Sequence, residues 1–432
     1  MQPISGSRRF AAWISVLVAP LVVLAACSSS SQAKTTTTTA AAGATPTSVK
    51  LDTANPYVYL LSADFTGALQ QFTLAEQLGI NAAIKDINAS GGILGRQVVL
   101  QTQNDQNDPT TAVNLLQQRL STGKKPDGMY PGGSSAVSLA LEPVLTQNKI
   151  LATDATSSDA LNNPTKYPYF FGVSQLASTP VPSFISALQT KGYKKIGMIF
   201  ANNATGQTTE ASFSKGIKGV GLDFTSVSYS QNSLDMTPQL QQLKAANVDA
   251  VIFNSFGTDT LYIIKSRNQM GWNTEPFYAD QTAAAYAYGK NFQPADLKNV
   301  FIQTSNAFLV GGVEKDWTLL HHFIDTVKAE DGGPAELTGN GAGLAAVGWN
   351  AMMMAKLGAE QAKSTDADAV KTALESLQVP SPFPFLSFGP SSEFGSYNYS
   401  ATNHFPTLKP TAFAYVVPGT YNADGLYTPG GS

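Results

Sequence analysis

The sequence predicts an α/β fold of two doubly wound parallel-sheet lobes joined by a hinge, and three observations carry that expectation. Strand-like and helix-like runs alternate from residue 57 onward, a pattern that argues for parallel sheets covered on both faces. One series is complete by residue 153 and a second of similar length begins near residue 195, so architecture repeats although sequence does not. The 432 residues are enough for two or three domains' worth of core.

The N-terminus comes first. Arg8 and Arg9, the only charges before Cys27, precede the apolar stretch FAAWISVLVAPLVVLAA. A basic region, an apolar core and small residues before a cut site make a secretory signal over residues 1–26. The string LAAC (Leu24 to Cys27) resembles a bacterial lipobox, which implies a lipidated Cys27 at the mature N-terminus. The other reading is a single transmembrane anchor with a buried thiol, but the apolar run is short for a span. Either way the rest of the chain is expected outside the cytoplasm. Cys27 is the only cysteine, so no intramolecular disulfide can form. The segment 27–49, rich in Ser, Thr and Ala, cannot bury enough apolar surface to fold and reads as a tether.

Strands are expected at 57–62, 97–103, 127–131 and 149–153, with helices around 71–89, 110–121 and 136–147. In the first helix Ile80, Ile84 and Ile87 recur at helical spacing, while Lys85 and Asp86 fall on the other face. Gly91 and Gly92 follow, able to take the positive φ that closes a helix. The second series has strands at 195–201, 222–230, 249–255 and 276–280, and helices around 180–191, 208–218, 236–246 and 258–270. Then come a strand at 300–305, helices near 313–330, 341–362 and 367–377, a Pro/Gly-rich stretch and a late strand at 411–417.

Composition excludes several classes. Charged residues make up 13% and the formal net charge is −3, with no concentrated basic surface for nucleic acid. His321, His322 and His404 are the only histidines; the adjacent pair faces apart on a helix, so no metal site is expected. The string GNGAGLAA (Gly339 to Ala346) imitates part of a dinucleotide loop but follows no strand, so it reads as a helix start and no cofactor is expected. No nucleophile-elbow pattern occurs.

The stretch INASGGILGR, ending at Arg96 and preceded by AAIKD, resembles the periplasmic-binding-protein type I family in its leucine/isoleucine/valine-binding branch. The resemblance continues in order through YLLSADFTG, GGSSAVS, ILATDATSSDAL, KYPYFFGVS and GWNAMMMAKLGAEQA, covering nearly all of residues 50–380. It implies two lobes: 50–175 with about 306–380, and 176–305 with about 381–432. It further implies a clamp that closes on a small molecule and hands it to an ABC permease with its ATPase subunits.

The candidate site begins at YPGGSSAVS, a loop leaving the carboxyl end of a strand, where open α/β sheets bind ligands. Ser134 and Ser135 sit where a helix begins, and its unpaired N–H groups and partial positive charge suit a carboxylate. Either serine could instead simply cap the helix. By resemblance Ser135 holds the ligand carboxylate, while Ala155 and Thr156 form the next ligand loop, unless Asp154 and Thr156 make only a local turn. Phe72 and, from the second lobe, Phe256 align with aromatic walls, although both also read as plain core. The family places an acid for a ligand ammonium after the strand at 276–280; here Asp280 ends that strand and Gln281 follows. Thr205 stands where the family often has Tyr.

The expectation is therefore a lipid-anchored, extracytoplasmic solute-binding lipoprotein of an ABC importer. Its ligand would be a branched-chain or other small amino acid or a related amide, and no enzyme activity is expected. A ligand-sensing domain of the same fold with a membrane partner is the alternative. A secreted α/β enzyme is disfavoured, because no acid, base and nucleophile set assembles.

Overall fold

The computed structural model describes residues 51–430, except 68, 232, 256–257, 281–291, 378, 380–383 and 391. The signal, Cys27 and the tether lie outside the described residues, as do Phe256 and Gln281. Among the described residues, no helix is long and apolar enough to cross a membrane.

The first sheet contains β1 (Asp52–Ala63), β2 (Arg96–Asn104), β3 (Gly128–Tyr130), β4 (Leu151–Asp154) and β5 (Phe170–Gly172). They are parallel, in the order β2-β1-β3-β4-β5. Between them run α1 (Gln70–Ala89), α2 (Pro109–Ser121) and α3 (Ser135–Asn148). Buried residues 76, 80, 83 and 87 form the stripe that seats α1, and Gly91 and Gly92 (φ 112° and 72°) then reverse the chain into β2.

The second sheet repeats the plan. After α4 (Val181–Lys191) come β6 (Lys195–Ala201), α5 (Ala204–Gly219), β7 (Asp223–Tyr229), α6 (Thr237–Ala245), β8 (Ala250–Asn254), α7 (Asp259–Gln269), β9 (Phe277–Ala279) and β10 (Val300–Ser305). The order β10-β9-β8-β6-β7 reproduces that of the first sheet, counted from the opposite edge. Each sheet therefore reverses direction beside its first strand, between β1 and β3 and between β6 and β8. Such reversals open the crevice where α/β sheets take ligands.

The chain then returns to the first sheet with α8 (Thr318–Lys328), α9 (Gly333–Asn340), α10 (Ala342–Ala362) and α11 (Ala367–Glu375). Phe323, Leu337, Trp349, Met352 and Leu374 from these helices join one core with Tyr59, Leu61, Ile80 and Ile87. The expected helix at 313–330 is broken: a short turn (Val313–Asp316) precedes α8. Helix α9 was not expected, as its sequence GPAELTGN has no apolar stripe to announce it.

The tail corrects the expected division of the chain. The resemblance places residues from about 381 onward in the second lobe, yet Phe385, Leu386, Phe388, Tyr397 and Tyr399 lie in the first sheet's core. Tyr397 and Tyr399 donate to the carbonyls of Val173 and Gly172 at 2.9 and 2.7 Å, and Asn350 of α10 binds Leu386 N–H at 2.9 Å. Aromatic side chains and backbone bonds to β5 thus hold this segment where local pattern gave no direction. The later strand β11 (Phe413–Val416) crosses over and pairs antiparallel with β10, and Tyr427 beyond it joins the second sheet's core.

Candidate functional site

A cleft of about 330 Å³ lies at the two points of strand reversal. From the first sheet it is lined by Leu69, Phe72, Glu76, Asn107, the turn 132–136, Ala155, Ser157 and Ser174. The second sheet supplies Asn203, Thr205 and Gln231, and α10 supplies Leu344 and Val347. Helices α3 and α5, which start at the two reversal points, pack against one another.

The turn before α3 depends on Gly132. Its φ is 80°, and a Cβ there would stand 2.4 Å from the carbonyl oxygen of Ser62. Only glycine lets the loop after β3 pass so close to β1. Ser134 occupies the N-cap of α3 with extended backbone, but its side chain makes no capping bond. The first N–H groups of α3 are left without helical partners by geometry, and the cleft reaches them at Ser135 and Ala136. Ser135 itself is buried.

Behind this turn lies a group of buried carboxyls. Asp154, at the end of β4, accepts from Ser138 Oγ (2.6 Å), Gly133 N (3.0 Å) and Ala155 N (2.8 Å). Burial raises its pKa to about 6, and those hydrogen bonds keep it from rising further. Glu76 lies one helical turn after Phe72, and burial, with a smaller contribution from the nearby Asp154, pushes its pKa up to about 8. The Tyr130 hydroxyl is near enough to ease Glu76's ionisation without meeting it in hydrogen-bond geometry. Glu142 on α3 is likewise raised to about 8, first by burial and then by Asp154.

Of the residues singled out from sequence, Phe72, Ser134, Ser135 and Ala155 line the cleft, and Thr205 faces them from the second sheet. Thr156 does not: it is buried on the Asp154 side of its loop, and Ser157 takes the lining position. Ala155 reaches the cleft, but its N–H is taken by Asp154. Asp280 is also absent from the lining; it is buried, and one carboxylate oxygen accepts from Asn254 Nδ2. Sequence reasoning missed Glu76, although a signal was present. It is an acid on the same stripe as Ile80 and Ile87, where an apolar residue would be ordinary. Asn107, Asn203, Gln231, Leu344 and Val347 gave no signal, because their loops and helix start meet only in three dimensions.

A family profile described as periplasmic binding protein matches residues 61–417. The chain belongs to that family. Among solved structures it is similar to a type 1 periplasmic binding protein from Bordetella pertussis Tohama I, with TM-score 0.73 and 20% identity over 87% of this chain and 100% of that one. Another is a solute-binding protein of an ABC transporter from Rhodopseudomonas palustris in complex with benzoate, with TM-score 0.65 and 16% identity over 87% and 97%. These likenesses establish the type I binding-protein fold. In sequence the chain is 25% identical over 240 residues to a Leu/Ile/Val-binding protein homologue of Brucella suis. That match covers 53% of this chain and 58% of the relative, so it spans little more than half of either. The recognised resemblance to the leucine-binding branch of type I binding proteins agrees with these findings.

Proposed function

We propose that this binding protein captures a small amino acid or a related amide between two closing lobes and delivers it to an ABC importer. The lobes are 50–175 with 306–408, and 176–305 with the strand near 413–416. The observation that carries the reading is the cleft at the paired strand reversals, where one wall offers an open helix start and the other faces it. The names of its relatives, a Leu/Ile/Val-binding homologue and a benzoate complex of an ABC transporter protein, support a small organic solute with a carboxylate end. The LAAC string supports anchoring through Cys27 to the outer face of the membrane.

A thermal-shift screen over amino acids, amides, ureas and aromatic carboxylates tests the reading, because a ligand stabilises the folded state in proportion to the logarithm of its concentration over Kd. A hit should be accompanied by a smaller radius of gyration in small-angle scattering, as two lobes close. If no member of the screen shifts the transition, capture of such a solute is ruled out. For the anchor, Cys27→Ala should abolish incorporation of a fatty-acid label; unchanged labelling would remove the lipoprotein assignment.

A further inference from the structure

The cleft contains more acceptors on its first-sheet wall than a carboxylate-only ligand could use. Glu76 is 5% exposed and lines the cleft, yet its Oε2 has no hydrogen-bond partner among the described residues. Asn107 lines the same wall from the loop after β2, and its buried Oδ1 is likewise without one. Its backbone is held at φ 56°, a conformation that Asn tolerates well, and its N–H is fixed on Asp105 at 2.9 Å. A buried polar atom left unpaired costs on the order of 1–3 kcal/mol, so both groups call for a partner, and the Tyr130 hydroxyl beside Glu76 does not meet it in hydrogen-bond geometry. The Gly133 turn explains how Glu76 reaches the cleft. A Cβ at Gly133 would stand 3.1 Å from Glu76 Oε1, so the bare glycine leaves the carboxyl beside the start of α3.

We propose that Glu76, assisted by Asn107, takes the N–H end of the ligand, so that the site selects solutes bearing an amine or amide donor beside a carboxylate or carbonyl. The inference rests on the reading above that this cleft captures a solute. It moves the donor-recognising acid from Asp280, which is held by Asn254 outside the lining, to the same wall that carries the open start of α3. The two ends of one small molecule can then be held by a single lobe. Donors on the α3 turn meet its carboxylate or carbonyl, and Glu76 with Asn107 meets its nitrogen.

The groups facing Glu76 fix the direction of its pH response. Tyr130 of β3 and Asp154 at the end of β4 face it, and α10 packs against its helix through the backbone at Gly348. No cation is among them, so the carboxyl holds its proton up to about pH 8 in the empty protein. An ammonium brought beside it favours ionisation. The Glu76 proton leaves to solvent as the ligand binds, so affinity rises with pH toward about 8.

The test uses titration calorimetry on the mature protein with two matched pairs, leucine against 4-methylpentanoate and benzamide against benzoate. The nitrogen-bearing member should bind at least ten-fold tighter in a pair that binds. Glu76→Gln should weaken leucine roughly ten- to a hundred-fold, the loss of one charge-assisted hydrogen bond, and leave 4-methylpentanoate unchanged. Asn107→Ala, which removes a half-buried loop side chain and leaves α1 intact, should weaken the nitrogen-bearing member alone and serves if Glu76→Gln fails to fold. Equal binding within a pair, or wild-type affinity for leucine in both variants, overturns the assignment of Glu76 while leaving solute capture standing. If neither pair binds and the broader thermal-shift screen is also blank, solute capture fails and this inference with it.

Discussion

The two helices that start at the strand reversals occupy equivalent places in their sheets and end their surroundings differently. Helix α5 is capped from within: Asn203 Oδ1 accepts from Gly206 N–H at 2.8 Å. Helix α3 has Ser134 in the same place, and its side chain makes no such bond. The walls differ in charge as well. On the first lobe the cleft meets Glu76, with Asp154 buried behind it, whereas the described second-lobe lining of Asn203, Thr205 and Gln231 is neutral. Identical strand order therefore does not mean identical chemistry. The first lobe carries a helix start without a side-chain cap beside a buried acid, and the second presents a start with one N–H already capped.

The strongest way to break this comparison is at the glycines that let helices approach. A Cβ on Gly79 of α1 would stand 1.7 Å from the backbone oxygen of Ala345 on α10, and neither backbone can give way cheaply. Gly79→Ala should cost ~3 kcal/mol or more by overpacking, read as a fall in the urea midpoint, and should disturb the wall that carries Glu76. On the second lobe, a Cβ on Gly216 would meet Val181 Cγ1 at 2.4 Å, a side-chain atom that can move. Gly216→Ala should cost about 1 kcal/mol. Equal losses would show that the two lobes tolerate crowding alike.

A pH series separates the lobes next. Glu142 and Glu76 each have a folded pKa raised from 4.5 to about 8 by burial. The folded state holds these protons more tightly than the unfolded chain does. Their stabilising effect is complete below about pH 4.5 and is lost as pH rises through about 8. The ligand-free protein should therefore melt at lower temperature near pH 8 than near pH 5, and Glu142→Gln should flatten the dependence. A melting temperature that rises over this range would contradict the burial of both carboxyls.

The smallest effects come from the caps themselves. Asn203→Ala removes a formed capping bond and should cost about 1 kcal/mol of stability. Ser134→Ala removes no such bond, so its stability cost should stay below about 0.5 kcal/mol while leucine affinity falls. Thermal melts and calorimetry on the two variants check this inversion. Equal melting losses with unchanged affinity would mean that Ser134 serves α3 alone.

Much of this molecule was legible from its residues. Alternating runs located nearly every strand of both sheets, because a parallel strand buried on both faces must be a short apolar stretch between helices. β6 and β10 match their expected limits, and the Gly91–Gly92 reversal takes the positive φ expected of it. Ser135 is legible as a cleft residue because its loop leaves a strand for a helix start, and Phe72 only through the family resemblance. The partners of each helix were not legible. An apolar stripe says that a face is buried but not against which sheet, and so Tyr397 and Tyr399 were assigned to the lobe opposite the one they bind.

Sequence by itself determined the two-sheet plan and the loop that opens the site, since local periodicity and glycine geometry act over a few residues, while the strand order and its reversal points came from tertiary pairing. Tertiary structure alone decided which side chains face the cleft. Ala155 N–H turns to Asp154, Asp280 turns to Asn254, and Glu76 stands beside a turn that follows it by more than fifty residues. Whether a polar group is satisfied or left open depends on neighbours distant in the chain, and burial then sets the pKa and the hydrogen-bonding demand of each carboxyl.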